Sequence, residues 1–217
     1  MKRINVTLIS APEERFLAYI TPKLPSWCSP DFLTLTSLAA AILVAIFYTQ
    51  SVRVPLYLLA VNLCIVINWF TDSTDGRIAR FRGISRPNYG YYVDHICDSV
   101  GLVFVILGII MSGLVLTPSW IVGGFLVLLV YIHTYLKTTV FQEFDPSLYG
   151  FGPTEMRLLL MFINFSVFFL GNPTTFFSGI QLTRFDYIGW VLSVVTLAAL
   201  SVNIFKTISL LYQRERV

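Results

Sequence analysis

The stretch NWFTDSTDGRIARFRGISRPNYGYYVDHICDS, residues 68–99, decides the fold. It sets Asp72, Asp75, Asp94 and Asp98 between segments that otherwise read as membrane-spanning. An acidic side chain near a bilayer centre costs roughly 2.5–3.5 kcal/mol on insertion scales, so four uncompensated ones forfeit about 10 kcal/mol. Something must hold them, and a divalent cation is the direct candidate. NWFTDSTDGRIARFR contains no proline and can stay helical through Arg80. On that helix Asn68, Asp72, Asp75 and Ala79 follow spacings of four, three and four and share one face. Gly90, Asp94 and Asp98, each four apart, share a face of the next helix. A short connection makes the two helices antiparallel neighbours, so both acidic faces can enter one cleft and the four carboxylates converge.

Working outward, the rest of the chain belongs in a membrane. Its 217 residues are 56% hydrophobic and 12% charged, and its mean hydropathy of +0.74 lies outside the range of soluble domains. Six segments, 32–50, 54–73, 91–113, 118–140, 154–171 and 186–211, are long and apolar enough to span a bilayer. The expected fold is an all-α integral membrane protein with six transmembrane helices. Residues 32–217 form its domain, preceded by an N-terminal cytoplasmic or interfacial segment, residues 1–31. Within that segment, APEERFLAYITPKLPSW, residues 11–27, mixes charged and aromatic side chains and fits a short helix along the headgroups. A plain connecting arm is the alternative. The first residues, MKRINVTLISAPEERF, lack an apolar run after their basic residues and do not read as a cleaved signal peptide.

Lysines and arginines sort across the connections. Lys2, Arg3, Arg15, Lys23, Arg77, Arg80, Arg82, Arg86, Lys137, Arg157, Lys206, Arg214 and Arg216 fall on one side, and Arg53 and Arg184 on the other. By the positive-inside rule, both termini and the acidic connection face the cytoplasm. A net charge of +3 is too small to argue for nucleic acid. Cys28, Cys64 and Cys97 lack the spacing of a disulfide framework or a zinc site and read as buried thiols.

A four-carboxylate cleft suits one or two hard divalent ions. Two such ions, about 3.5–4 Å apart, grip a pyrophosphate and stabilise both oxygens of a displacement at phosphorus. Gly76 and Ala79 leave room beside the helix, and Arg80 adds a positive partner. The chemistry indicated is phosphoryl transfer at a membrane surface. A cation transporter or channel is the alternative from another class, but it places acids through the membrane depth. Here they lie near one end, beside arginines. A non-catalytic scaffold would tolerate loss of a motif aspartate, and every one is present.

The pattern D-x2-D-G-x2-A-R-x9-G-x3-D-x3-D, running from Asp72 to Asp98, resembles the signature of the CDP-alcohol phosphotransferase family. The whole chain fits that family's six-span core. The resemblance implies a CDP-alcohol donor, a lipid or small-alcohol hydroxyl acceptor, two magnesium or manganese ions, action at the cytoplasmic face, and a homodimer. It makes Asp72, Asp75 and Asp94 metal ligands, and Asp98 the general base and a ligand of a second ion. Asp72, Gly76, Ala79 and Arg80 would line the cytidine nucleotide.

LPSWCSPDFLTLTSL, residues 24–38, is similar to the segment that opens the family's first span, with Pro30-Asp31 in place of Pro-Asn. Thr34 is accordingly a nucleotide-contact candidate, and Asp31 a cap for the first span. VDHICDS, residues 93–99, is similar to the FDHGCDS-like run of the choline/ethanolamine branch. That similarity favours CDP-choline or CDP-ethanolamine with diacylglycerol, and makes His95 an alternative to Asp98 as proton acceptor, since imidazole suits neutral pH. CDP-diacylglycerol with a small polar alcohol is the alternative substrate pair. His95 can also be read as a headgroup-level polar residue bonded to a neighbour, and His133 as a satisfied interhelical one. GPTEMR, residues 152–157, opens the fifth span, where Glu155 and Arg157, with Lys137, are headgroup or acceptor candidates. A first-turn acid and a snorkelling lysine are their plainer explanations.

Overall fold

The computed structural model describes residues 2–3, 7, 9–144, 147 and 149–215. Arg216 of the basic C-terminal group lies outside them. The chain forms β1 (Lys2–Arg3), α1 (Ser10–Ile20), a 3₁₀ turn (Thr21–Lys23), α2 (Pro30–Ser51), α3 (Tyr57–Phe81), α4 (Pro87–Met111), α5 (Ser119–Phe141), β2 (Glu143–Phe144), α6 (Pro153–Leu170), β3 (Thr174–Phe177), β4 (Ile180–Thr183) and α7 (Arg184–Arg214).

Helix starts follow their sequence signals. Ser29 caps α2, its side chain accepting the Phe32 N–H at 3.1 Å, and Pro30 follows in the first helical position. Asp31 therefore does not cap the helix, as the sequence suggested. It stands in the first turn and pairs with Arg86 at 2.5 Å, tying the α3–α4 connection to α2. α3 runs unbroken past Arg80, as the missing proline predicts, and stops just before Gly83, whose φ of +67° reverses the chain.

Five described helices, α2, α4, α5, α6 and α7, are long and apolar enough to cross a membrane. α3, expected as the second of six spans, reaches 25 residues but falls outside that set. Asn62, Asn68 and Asp72 dilute its apolar run. The all-α expectation also needs correction. β1 pairs in parallel with β2, and β3 and β4 form an antiparallel hairpin. TTFF and IQLT flank Ser178 and Gly179, whose φ values of +49° and +81° make the two-residue turn that closes such a hairpin.

α2 packs against both α3 and α4. At Gly108 a Cβ would come within 2.4 Å of the Ala45 backbone, so only glycine allows α4 this close to α2. α6 joins α2 and α3 through a buried polar chain. Tyr48 Oη donates to Asn164 Oδ1 at 2.9 Å, and Asn164 Nδ2 donates to Asn62 Oδ1 at 2.8 Å. Val44, Leu58, Val61, Ile109, Ile163 and Phe185 form the apolar core around it. α5 packs against α7, and His133 bonds Asn203 there at 3.2 Å, the interhelical partner expected of it. At the opposite end from the acidic residues, the buried Asp186 accepts the N–H groups of Leu116, Thr117 and Thr183 at 3.0, 3.0 and 2.9 Å.

Candidate metal and nucleotide site

α3 and α4 pack on α2 rather than side by side as the short connection suggested, and from there their acidic faces still meet. Asp72 from α3 and Asp94 and Asp98 from α4 offer carboxylate oxygens within 4.8 Å of one another. Oxygens held about 2.0–2.6 Å from a common ion span about this distance, so the donor set fits a hard divalent cation. Asp75 is turned toward α2. It is buried and accepts the Thr34 hydroxyl at 2.5 Å and the Gly76 N–H. Three of the four motif carboxylates thus form the cluster, and the fourth fixes α2 against α3 beside it.

His95 lies next to the cluster. Its Nδ1 is 3.1 Å from Asp94 Oδ2, and its buried Nε2 has no hydrogen-bond partner among the described residues. Tyr91 lies against the imidazole, ring centroids 4.1 Å apart, and Tyr135 stacks on it at 5.3 Å. A cavity of about 40 Å³ is lined by His95 and Asp98 together with Tyr131, Thr134, Tyr135 and Phe144. Tyr92, paired with Tyr91 in the sequence, is exposed.

Arg157 enters from the second turn of α6, its Nη2 2.8 Å from Asp72 Oδ2. Glu155, two residues earlier, is buried and accepts the N–H groups of Gly152 at 2.9 Å and Ile9 at 3.2 Å. Its carboxylate starts α6 and anchors the chain ahead of α1, the plainer of its two expected roles. Lys137 stands on α5, half-buried, one turn before the helix ends.

The nucleotide candidates spread along α3. Ala79 is buried, while Arg80 is exposed and borders an open hollow of about 310 Å³ between α1 and α3, with Arg77, Phe81, Glu14 and Thr21. A Cβ on Gly76 would reach 3.4 Å from Arg80 Nη1, so the glycine leaves that guanidinium space. Gly90 is exposed with open space where a side chain would be.

Two residues that organise the site escaped the sequence reading. Glu13 on α1 receives the Trp69 indole N–H at 2.9 Å and the Ser73 and Thr154 hydroxyls at 3.3 and 3.2 Å, fastening α1 to α3 and α6. Arg82 donates to the carbonyls of Cys28, Pro25 and Leu24 at 2.6, 2.7 and 3.1 Å, holding the segment ahead of α2. Their long-range partners leave no periodicity in the chain.

The helical core thus carries, beside a histidine, an aspartate cluster that could hold a metal ion. A family model described as CDP-alcohol phosphatidyltransferase matches residues 27–208. The chain belongs to that family. It is similar to cholinephosphotransferase 1 of Danio rerio, 28% identical over 198 residues, covering 84% of this chain and 50% of the relative. Cholinephosphotransferase 1 of Gallus gallus is 28% identical over 187 residues, covering 80% and 55%, and that of Xenopus laevis 30% over 148 residues, covering 62% and 36%. The chain spans about half the length of the curated relatives it matches.

Proposed function

We propose that the protein transfers the phosphoalcohol of a CDP-alcohol to a hydroxyl acceptor and releases CMP in phospholipid synthesis, with CDP-choline or CDP-ethanolamine as donor and diacylglycerol as acceptor. The gathering of Asp72, Asp94 and Asp98 beside His95 carries this reading. Those aspartates, with Asp75 at their edge, would hold two magnesium or manganese ions, whose charge, when bound, offsets that of the pyrophosphate and of the departing CMP.

Asp94 fixes the imidazole through Nδ1, leaving Nε2 buried and without a partner among the described residues, on a ring that lines the cavity shared with Asp98. There His95 takes the acceptor's hydroxyl proton as that oxygen attacks the donor phosphorus. The new P–O bond forms, the P–O bond to CMP breaks, and CMP leaves with the electron pair. Asp98, lining the same cavity, orients the acceptor and would complete the ligands of a bound metal. The remaining walls, from Tyr131, Thr134, Tyr135 and Phe144, are formally uncharged. They suit a neutral lipid hydroxyl better than an ionised alcohol, whose charge would lie unpaired there. Gly76 and Arg80 border the nucleotide, and Thr34 sets its edge through Asp75.

The site faces the cytoplasm, in a homodimer whose protomers each cross the membrane six times, with α3 as the second span. Pairing of β1 with β2 supports that count, because it puts the chain before α2 on the same side as the chain after α5. An even number of crossings must separate them.

CMP release by purified protein in lipid, with magnesium and a panel of CDP-alcohols, tests the reading. Release is expected with CDP-choline or CDP-ethanolamine and diacylglycerol. Release only with CDP-diacylglycerol and a polar alcohol would overturn the substrate pair, and no release from any donor would overturn the reaction.

A further inference from the structure

Arg157 stands where a cation and a guanidinium compete. Its side chain is 18% exposed and that of Asp72 16%, and they meet at 2.8 Å. Asp72 also belongs to the trio whose oxygens lie within 4.8 Å of one another. A guanidinium and a divalent ion roughly 5 Å apart repel strongly even at an effective dielectric constant near 20. Both can use Asp72 only at a cost to each other.

The ion pair is not required to place α6. Glu155 begins that helix through Gly152, and the Tyr48–Asn164–Asn62 chain fixes its body to α2 and α3. Asn62 further donates to the Met161 carbonyl at 3.2 Å. Arg157 thus adds charge at the acidic cluster to a helix already held elsewhere. Its planar fork matches carboxylate and phosphate oxygens alike, so a phosphate ester can exchange for Asp72 without a change of geometry.

We infer that Arg157 is a transferable counter-ion: it holds the Asp72 carboxylate until a nucleoside diphosphate draws the guanidinium onto its phosphate oxygens and releases Asp72 to the metal. The inference rests on the metal-dependent CDP-alcohol reading and adds an order to it. Ion and donor bind as mutually dependent ligands, each raising the other's affinity by the same factor. Arg157 in this scheme both sets the availability of Asp72 and, once transferred, binds the donor phosphate.

The test is Mn2+ binding, followed by the paramagnetic resonance of free Mn2+, with protein in lipid nanodiscs and CDP as the unreactive nucleotide. Wild type is expected to bind Mn2+ at least tenfold more tightly with CDP than without. R157Q is expected to bind Mn2+ alone about tenfold more tightly than wild type, while its CDP affinity at saturating Mn2+ falls about tenfold. R157K keeps the charge but loses the fork, so its Mn2+ affinity stays within about threefold of wild type while CDP binding weakens. A folded R157Q, with an unchanged melting curve, that binds Mn2+ no more tightly than wild type overturns the counter-ion role alone. Should R157Q not fold, equal Mn2+ affinity of wild type with and without CDP overturns it. Wild type that binds no Mn2+ at all removes the metal-dependent reading, and the counter-ion role with it.

Discussion

At the scale of single residues, the site divides its carboxylates by their partners. Asp75 spends its oxygens on Thr34 and the Gly76 N–H, whereas Asp72, Asp94 and Asp98 converge. In the proposed mechanism His95 would separate the proton from the metal, since Nδ1 bonds Asp94 while Nε2 is buried without a hydrogen-bond partner among the described residues. A positioned general base contributes about 10²–10⁴-fold to a rate. His95→Asn is therefore expected to lower kcat by at least about 100-fold with Mn2+ affinity little changed, since the imidazole bonds a ligand without being one. Asp98→Asn is expected to lower both kcat and Mn2+ affinity, since it removes an oxygen of the trio. Steady-state kinetics beside Mn2+ titration distinguishes them. Full turnover in His95→Asn would return the base role to Asp98.

At the scale of elements, the period-four spacing of Asp94 and Asp98 and the proline-free run through Arg80 were legible in the sequence, and α3 and α4 follow them. The rotation of α2 was not. The partner of Asp75 depends on which face of α2 carries Thr34, and α2 is apolar nearly all round, so its sequence marks no face. Arg157 was visible as a helix start, but its partner lies 85 residues away, a pairing only the packing of α6 on α3 creates. The far-side staple at Asp186 was likewise unreadable, because its acceptors serve a loop 69 and 70 residues distant. That staple yields an element-scale prediction. Asp186→Ala leaves the N–H groups of Leu116, Thr117 and Thr183, of which that of Thr183 is buried, without their acceptor. At about 1–3 kcal/mol for an unsatisfied buried donor, the Thr183 N–H alone sets a loss of that size. A lowered melting temperature in detergent is expected, with turnover per folded molecule within about twofold of wild type. A large loss of turnover in protein that melts normally would instead tie α5 and α7 to the chemistry.

For the whole molecule, the open quantity is whether α3 crosses the membrane, and two features separate the outcomes. The basic residues Arg77, Arg80, Arg82 and Arg86 flank the α3–α4 connection, while Arg184 adjoins the β3–β4 hairpin on the other side. Contacts give an independent constraint. Ile9, ahead of α1, bonds Glu155 at the start of α6, and Glu13 of α1 bonds Trp69 and Thr154. The N-terminal segment, the C-terminal half of α3 and the start of α6 therefore share one side. Between the N-terminal segment and α6 stand α2, α3, α4 and α5, and only four crossings return the chain to the same side. In the proposed six-span arrangement α3 would supply the fourth, its Asn62 and Asn68 shielded by bonds to the Met161 and Ser37 carbonyls of neighbouring helices. Single cysteines at Ser85 and Ser178, placed in a chain whose Cys28, Cys64 and Cys97 have been replaced, test this with a membrane-impermeant maleimide on intact cells. Six crossings with a cytoplasmic N-terminus predict that S178C reacts from outside and S85C only after permeabilisation. Five crossings, with α3 lying on the surface, predict the reverse pattern: the α3–α4 connection would face outward and the hairpin inward.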